Sequence, residues 1–208
     1  MALIIAGIAL SYLLGAFPTA YLAGRLLKGV DIRKLGSGNV GATNALRVLG
    51  KGPGIIVLFI DVLKGVLAVT VAGDLITAHN TSGLPGALPQ FLCGIAAVAG
   101  HNWPVFLGFK GGKGVATTLG VLIGLALRIH GLGLVLGLTL LTWILVFVTT
   151  RIVSIASVAA GILLPVYLVV LKFPVLWVTA GGVFGLLGVF RHRSNIIRFF
   201  KGQEKKIF

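Results

Sequence analysis

Acidic residues are almost missing from this chain: Asp31, Asp61, Asp74 and Glu204 stand alone against eighteen lysines and arginines in 208 residues. None neighbours another in sequence, so there is no carboxylate cluster to hold a catalytic metal. Cysteine is scarcer still. The single Cys93 excludes an internal disulfide and, inside an apolar run, reads as a small buried residue. Charge as a whole is thin. What fills the chain is 57% hydrophobic residues and 31 glycines, with a mean hydropathy of +1.08. That composition excludes a soluble domain and describes an all-α, polytopic membrane helical bundle, in which glycine lets helix backbones approach closely.

So basic a chain could bind nucleic acid, but no basic arm or domain is present that could lie along a duplex. The cations sit in short polar segments between long apolar runs. Membrane lipid head groups and small anionic substrates are the expected partners, and nucleic acid is not.

In chain order, residues 1–24 form a first apolar run. Its first charges, Arg25 and Lys28, follow it, which marks a retained helix and not a cleaved signal peptide, with Pro18 as a kink. A polar loop of six basic residues, 25–51, precedes a second apolar segment, 53–73, that carries Asp61 and Lys64 three residues apart on one helix face. Residues 74–87, with Asp74 and Pro85, hold no Lys or Arg. Further apolar segments cover 88–107, 114–127, 131–150, 152–171 and 173–190, and the tail from Arg191 is strongly basic. The spacing predicts about seven transmembrane helices in one domain, 1–208, although 114–127 is short for a span. The positive-inside rule then puts the N-terminus outside and the C-terminus in the cytoplasm.

Three polar blocks fall on that cytoplasmic side. The most suggestive is GFKGGKGVATT, Gly108 to Thr118, where Lys110, Gly111, Gly112, Lys113 and Gly114 precede a helix. Glycine admits close backbone approach, lysine adds charge and the helix N-terminus adds its own partial charge, a combination that favours phosphate. It is not a Walker A loop, because Gly114 stands where Ser or Thr would be required. A second block, GSGNVGATNALRVLG from Gly36, mimics a dinucleotide fingerprint but has no strand before it. Its local chemistry is Ser37, Asn39, Thr43 and Asn44 as hydrogen-bonding groups with Arg47, whose planar fork suits phosphate oxygens. The third block, HRSN, places His192 and Asn195 on one face of a continuing helix. A transporter would put polar residues at the midplane of several helices, and only Asp61 and Lys64 do so. A lipid scaffold would have no use for three such blocks.

GSGNVGATN with Arg47, DVLKG from Asp61, GHNWPVFLGFKGGKGVAT from Gly100, TRIVS from Thr150 and HRSNIIRFFKGQE from His192 together resemble the bacterial acyl-phosphate:glycerol-3-phosphate acyltransferase family. The resemblance runs from the first helix to the tail. It implies a multi-pass enzyme of the bacterial inner membrane that transfers a fatty acyl group from acyl phosphate to the 1-hydroxyl of sn-glycerol 3-phosphate. Lysophosphatidic acid and phosphate would be the products, in the first acylation of phospholipid biosynthesis. It also implies a soluble enzyme that supplies the acyl phosphate. By that resemblance Ser37, His192 and Asn195 are catalytic, while Arg47, Asn39 and residues 110–114 bind the substrate phosphates. Ser154, His101 and Glu204 are secondary candidates.

A mixed anhydride carries its own good leaving group, so neither metal, cofactor nor covalent intermediate is required. The His-x4-Asp dyad of other glycerol-3-phosphate acyltransferases is absent, since Phe106 and Ile197 stand five residues beyond His101 and His192. The proton acceptor is then a histidine, His192 or His101, or the acceptor substrate's own phosphate.

Overall fold

The structure, a computed structural model, describes residues 1–79, 84 and 86–207. The chain divides into two compact units, Met1–Ile129 and His130–Phe208.

In the first unit α1 (Ala2–Ala16) breaks at Pro18 and resumes as α2 (Thr19–Lys28), which ends at the left-handed Gly29. A 3-10 turn and a glycine-rich loop lead to α3 (Ala42–Leu49), followed at once by α4 (Lys51–Leu67). A π-helical segment, Ala68–Gly73, carries α4 into α5 (Asp74–Ala78). Next come α6 (Leu88–Asn102) and α7 (Val115–Ala126). The second unit contains α8 (Leu132–Thr150), α9 (Val153–Val170), α10 (Val175–Arg191) and α11 (Arg193–Phe200).

Among the described residues, four helical stretches are long and apolar enough to cross a membrane: Ala2–Lys28, Lys51–Ala78, Leu132–Thr150 and Val153–Val170. The pair α10 and α11, bent by 59°, makes a fifth. Length and composition therefore support four or five spans, against the seven expected. The other two expected spans are α6, with 15 residues, and α7, with 12. Twelve residues at about 1.5 Å each cover about 18 Å of a hydrocarbon core of about 30 Å. The expected segment 88–107 stops as a helix at Asn102, because Pro104 disfavours helical backbone in the residue before it. Asp74 is helical, the first residue of α5. Residues 80–83 and 85, which include Pro85 of the expected outer loop, lie outside the described residues.

Small residues set the helix contacts of the first unit. A Cβ on Gly15 of α1 would collide with the backbone of Ala97 on α6, and one on Gly100 of α6 with the carbonyl of Tyr12 on α1. The same reciprocity joins α4 and α7 through Gly65 and Gly120. Backbones at such distances leave no room for side chains, which is how apolar helices associate where water gives no driving force. The two contacts deliver the N-terminus of α7 and the C-terminus of α6 to one end of the unit, where the glycine-lysine loop joins them.

Candidate active site

The first unit brings two of the three polar blocks into defined geometry. After α2, the carboxylate of Asp31 caps the 3-10 turn by accepting the Arg33 N–H, and it takes the guanidinium of Arg33 through Nε at 3.0 Å and Nη2 at 2.7 Å. This fork holds the Asp31 carboxyl at about 2, well below its ordinary value. Arg33 and Arg25 also lie over the Tyr21 ring, at 4.9 and 5.5 Å. These two cations of the basic loop are thus engaged locally.

Gly36 and Gly38, both with positive φ, turn the chain around the side chain of Asn44. Asn44 is fully buried: its Oδ1 accepts the Ser37 N–H at 2.8 Å and its Nδ2 donates to the carbonyls of Ile32 and Leu35 at 3.1 Å. Asn44 therefore builds the loop and is not a ligand-binding donor. With its N–H committed, exposed Ser37 offers its hydroxyl. On α3, Ala45 and Leu49 face the core while Arg47 is exposed on the opposite side. Asn39 is half-buried at the loop's end.

The glycine-lysine loop differs from a cradle of backbone N–H groups. Gly111 N–H donates to the Asn102 carbonyl at 3.2 Å and Gly112 N–H to the His101 carbonyl at 3.0 Å. Both amides are committed to holding the loop against the end of α6. Glycine is required by close packing: a Cβ at Gly111 would strike the His101 carbonyl and Pro104, and one at Gly112 would strike Nε2 of His101. What the loop presents is exposed Lys110, half-buried Lys113 and the first turn of α7, whose N-cap Gly114 provides no side-chain cap. Beneath Gly114 lies Asn102, fully buried, whose Oδ1 and Nδ2 have no hydrogen-bond partner among the described residues; the same is true of the buried hydroxyl of Thr117 in the first turn of α7. Such groups cost free energy in isolation and are uncommon in native interiors.

The third block, in the second unit, is organised by Glu204. Its Oε1 accepts from Ser154 Oγ at 2.7 Å and Asn195 Nδ2 at 2.5 Å, and its Oε2 accepts from Arg198 Nε at 2.8 Å. Burial works to raise the Glu204 pKa, but the bonds from Asn195, Ser154 and Arg198 outweigh it and the carboxyl titrates below its ordinary value. Two secondary candidates, Ser154 and Glu204, thus meet a primary one, Asn195. Arg198, missed in the sequence, completes the group. His192 sits at the bend between α10 and α11, 2% exposed, with Nδ1 2.8 Å from the Gly188 carbonyl. A carbonyl only accepts, so Nδ1 carries the hydrogen, and Nε2 is the nitrogen left to face other groups.

These features define a multi-pass helical membrane protein with three polar, cation-bearing blocks. Comparison with known proteins gives the particular family. Residues 5–202 match the family model described as Glycerol-3-phosphate acyltransferase. The chain is 45% identical over 203 residues to the glycerol-3-phosphate acyltransferase of Synechococcus elongatus, covering 95% of this chain and 91% of that protein. It is 48% identical over 200 residues to that of Parasynechococcus marenigrum, covering 96% and 88%. Among solved structures it is similar to PlsY (YgiH), an integral membrane glycerol 3-phosphate acyltransferase, at 38% identity over 98% of this chain and 94% of that one. TM-scores are 0.84 to the glycerol 3-phosphate form and 0.80 to the lysophosphatidic acid form. The chain belongs to the glycerol-3-phosphate acyltransferase family.

Proposed function

We propose that this enzyme acylates glycerol 3-phosphate at its 1-hydroxyl with acyl phosphate as donor, giving lysophosphatidic acid and inorganic phosphate. The observation that carries this reading is the likeness to PlsY in forms with glycerol 3-phosphate and lysophosphatidic acid, over nearly the whole of both chains. The chemistry of the blocks supports it. Two anionic substrates suit a protein with four acids, of which Asp31, Asp74 and Glu204 are paired with arginines and Asp61 with Lys64. Arg47, Asn39, Lys110 and Lys113 bind phosphate through their side chains, together with the first turn of α7 at Gly114, while Gly111 and Gly112 hold the loop against α6. Ser37 donates its hydroxyl, and His192 and Asn195 orient a substrate. Residues 1–208 act as one acyltransferase domain.

In the reaction the 1-hydroxyl oxygen attacks the acyl carbon, the ester C–O bond forms, and the C–O bond to phosphate breaks. The hydroxyl proton passes to the acceptor's own phosphate, whose second pKa is about 6 by analogy with phosphorylated side chains. Neither histidine has an aspartate five residues on, and the sequence places no carboxylate beside either; the fold does bring Asp61 Oδ1 to 3.8 Å from His101 Nδ1, but the opposite nitrogen of that ring, Nε2, is packed against Gly112. His192 then orients a substrate through Nε2.

The seven-span arrangement, N-terminus outside and active site toward the cytoplasm, rests on charge. Fifteen of the eighteen Lys and Arg fall in segments it places inside, Arg128 and Lys172 fall outside, and Lys64 lies within a helix.

The test offers the purified protein glycerol 3-phosphate with palmitoyl phosphate or palmitoyl-CoA and follows phosphate and lysophosphatidic acid together. Equal appearance of both products with palmitoyl phosphate alone is expected. Arg47→Ala and Lys113→Ala should each lose roughly 10- to 100-fold in kcat/KM, the worth of one charge-assisted hydrogen bond. The residual activity of His192→Ala should keep the wild-type kinetic pKa, and a pKa that moved with the histidine would return the base to His192.

A further inference from the structure

The buried ion pair on α4 touches three other segments of the first unit. Asp61 and Lys64 are 2% and 5% exposed, and Lys64 Nζ lies 2.8 Å from Asp61 Oδ1. The same oxygen accepts from Thr19 Oγ1 of α2 at 3.3 Å and faces Nδ1 of His101 at 3.8 Å. Lys64 also donates to the carbonyl of Phe17, at the break between α1 and α2, at 3.4 Å. All these side chains are buried, and they line one small cleft together with Gly111 and Gly112. The other edge of the His101 ring packs directly on Gly112, and the His101 carbonyl holds the Gly112 N–H. A continuous path of contacts therefore runs from the ion pair through one imidazole to the glycine-lysine loop.

We propose that Asp61 and Lys64 are positioning residues for this loop and that they act through His101. At 3.8 Å the carboxylate acts on the ring by charge and not by a hydrogen bond: it favours a hydrogen on Nδ1 and the ring orientation that sets Nε2 against Gly112. Lys64 pairs with the carboxylate, so neither buried group is left without a partner. His101 is then a wall for the loop and not the base. Its ring is confined between a carboxylate and a glycine, and its backbone carbonyl is one of the loop's two anchors. Displacement of the loop by a fraction of an ångström would move Lys113 and the first turn of α7 away from phosphate. The functional consequence rests on the reading that this loop holds a substrate phosphate.

The test uses full-length enzyme and four variants. Asp61→Asn/Lys64→Gln removes both charges together, leaving no lone buried ion. It should raise KM for glycerol 3-phosphate or for acyl phosphate roughly tenfold, with kcat within about twofold, as expected of a misplaced binding group. His101→Ala should raise the same KM. The combined triple variant should be no worse than His101→Ala, because residues acting through one another are not additive. Multiplying effects in the triple variant, or a wild-type KM in the double, would overturn the proposal. Thr19→Val takes one donor from Asp61 without removing a charge and should give a smaller rise in the same KM, so a double variant that fails to fold still leaves the proposal exposed to refutation.

An independent readout is 15N NMR of the four histidines, with the His101 signals identified by their loss in His101→Ala. The spectrum of the wild type should show Nδ1 protonated, and the double variant should shift toward a tautomer mixture. Protonation at Nε2 in the wild type would refute the mechanism even if the enzyme proved inactive on glycerol 3-phosphate, so failure of this inference and failure of the proposed activity remain distinguishable.

Discussion

At the scale of single residues, Glu204 shows how one rare carboxylate can order a basic tail. It gathers Ser154 from α9, Asn195 and Arg198 from α11 and its own strand of tail, so removing it affects three partners together. Glu204→Gln replaces one of the two acceptor oxygens with an NH2 group that donates and cannot accept, and removes the charge. The loss should be about 1–2 kcal/mol, discounted for partial solvent exposure, and Tm should fall by a few degrees. The pH dependence has a defined sign. Because the folded carboxyl titrates below its ordinary value of 4.5, its contribution is complete above that value and disappears as the pH falls through the lower folded one. Thermal melts of both proteins should therefore differ most at neutral pH and converge in acid. A gap that persisted unchanged at the lowest pH would mean that the stabilisation does not depend on the charge.

At the scale of elements, close backbone approach carries the packing, and substitutions at glycine test it. Gly65 and Gly120 each face the partner helix's backbone, so Gly120→Ala forces α7 from α4 and should cost about 1–3 kcal/mol. Gly137→Ala on α8, where a Cβ would meet nothing within 4 Å, should be neutral or slightly stabilising. Detergent melting of the two variants beside the wild type checks both, and equal losses would refute the contact account. The sequence revealed that glycine would be used this way but not which pairs, because the partners are some 55 residues apart and periodicity reports only neighbours on one helix. The same limit explains the rest. The Asp61–Lys64 pair and the Pro18 break were legible, being local. The His101 link across 40 positions was not. The glycine-lysine block was visible as a loop before a helix, yet its amides are spent on the carbonyls of His101 and Asn102, a use that only the tertiary position of α6 determines. Near the tail, the candidates Asn195, Ser154 and Glu204 were each visible in the sequence, and their meeting was not.

At the scale of the whole molecule, the four or five full-length spans among the described residues make the threading of the chain directly testable. The second unit allows a clean experiment. Lys172 and Lys201 are both exposed and are separated by α10 and the bend into α11, so the proposed arrangement puts them on opposite sides of the membrane. Cys93 is the only cysteine and is buried, and Cys93→Ala supplies a background without thiols. Adding either Lys172→Cys or Lys201→Cys then gives one reporter per protein. A membrane-impermeant maleimide applied to intact cells stripped of their outer barrier should label the first and spare the second, and inside-out vesicles should reverse the result. Acyltransferase activity measured in the same vesicles fixes the orientation relevant to function, because glycerol 3-phosphate does not cross a bilayer unaided. Labelling of both positions from one side would mean that α10 does not span. The basic tail, with Arg191, Arg193, Arg198, Lys201, Lys205 and Lys206, would then lose its place on the cytoplasmic face, and the charge argument that puts the active site there would fail with it.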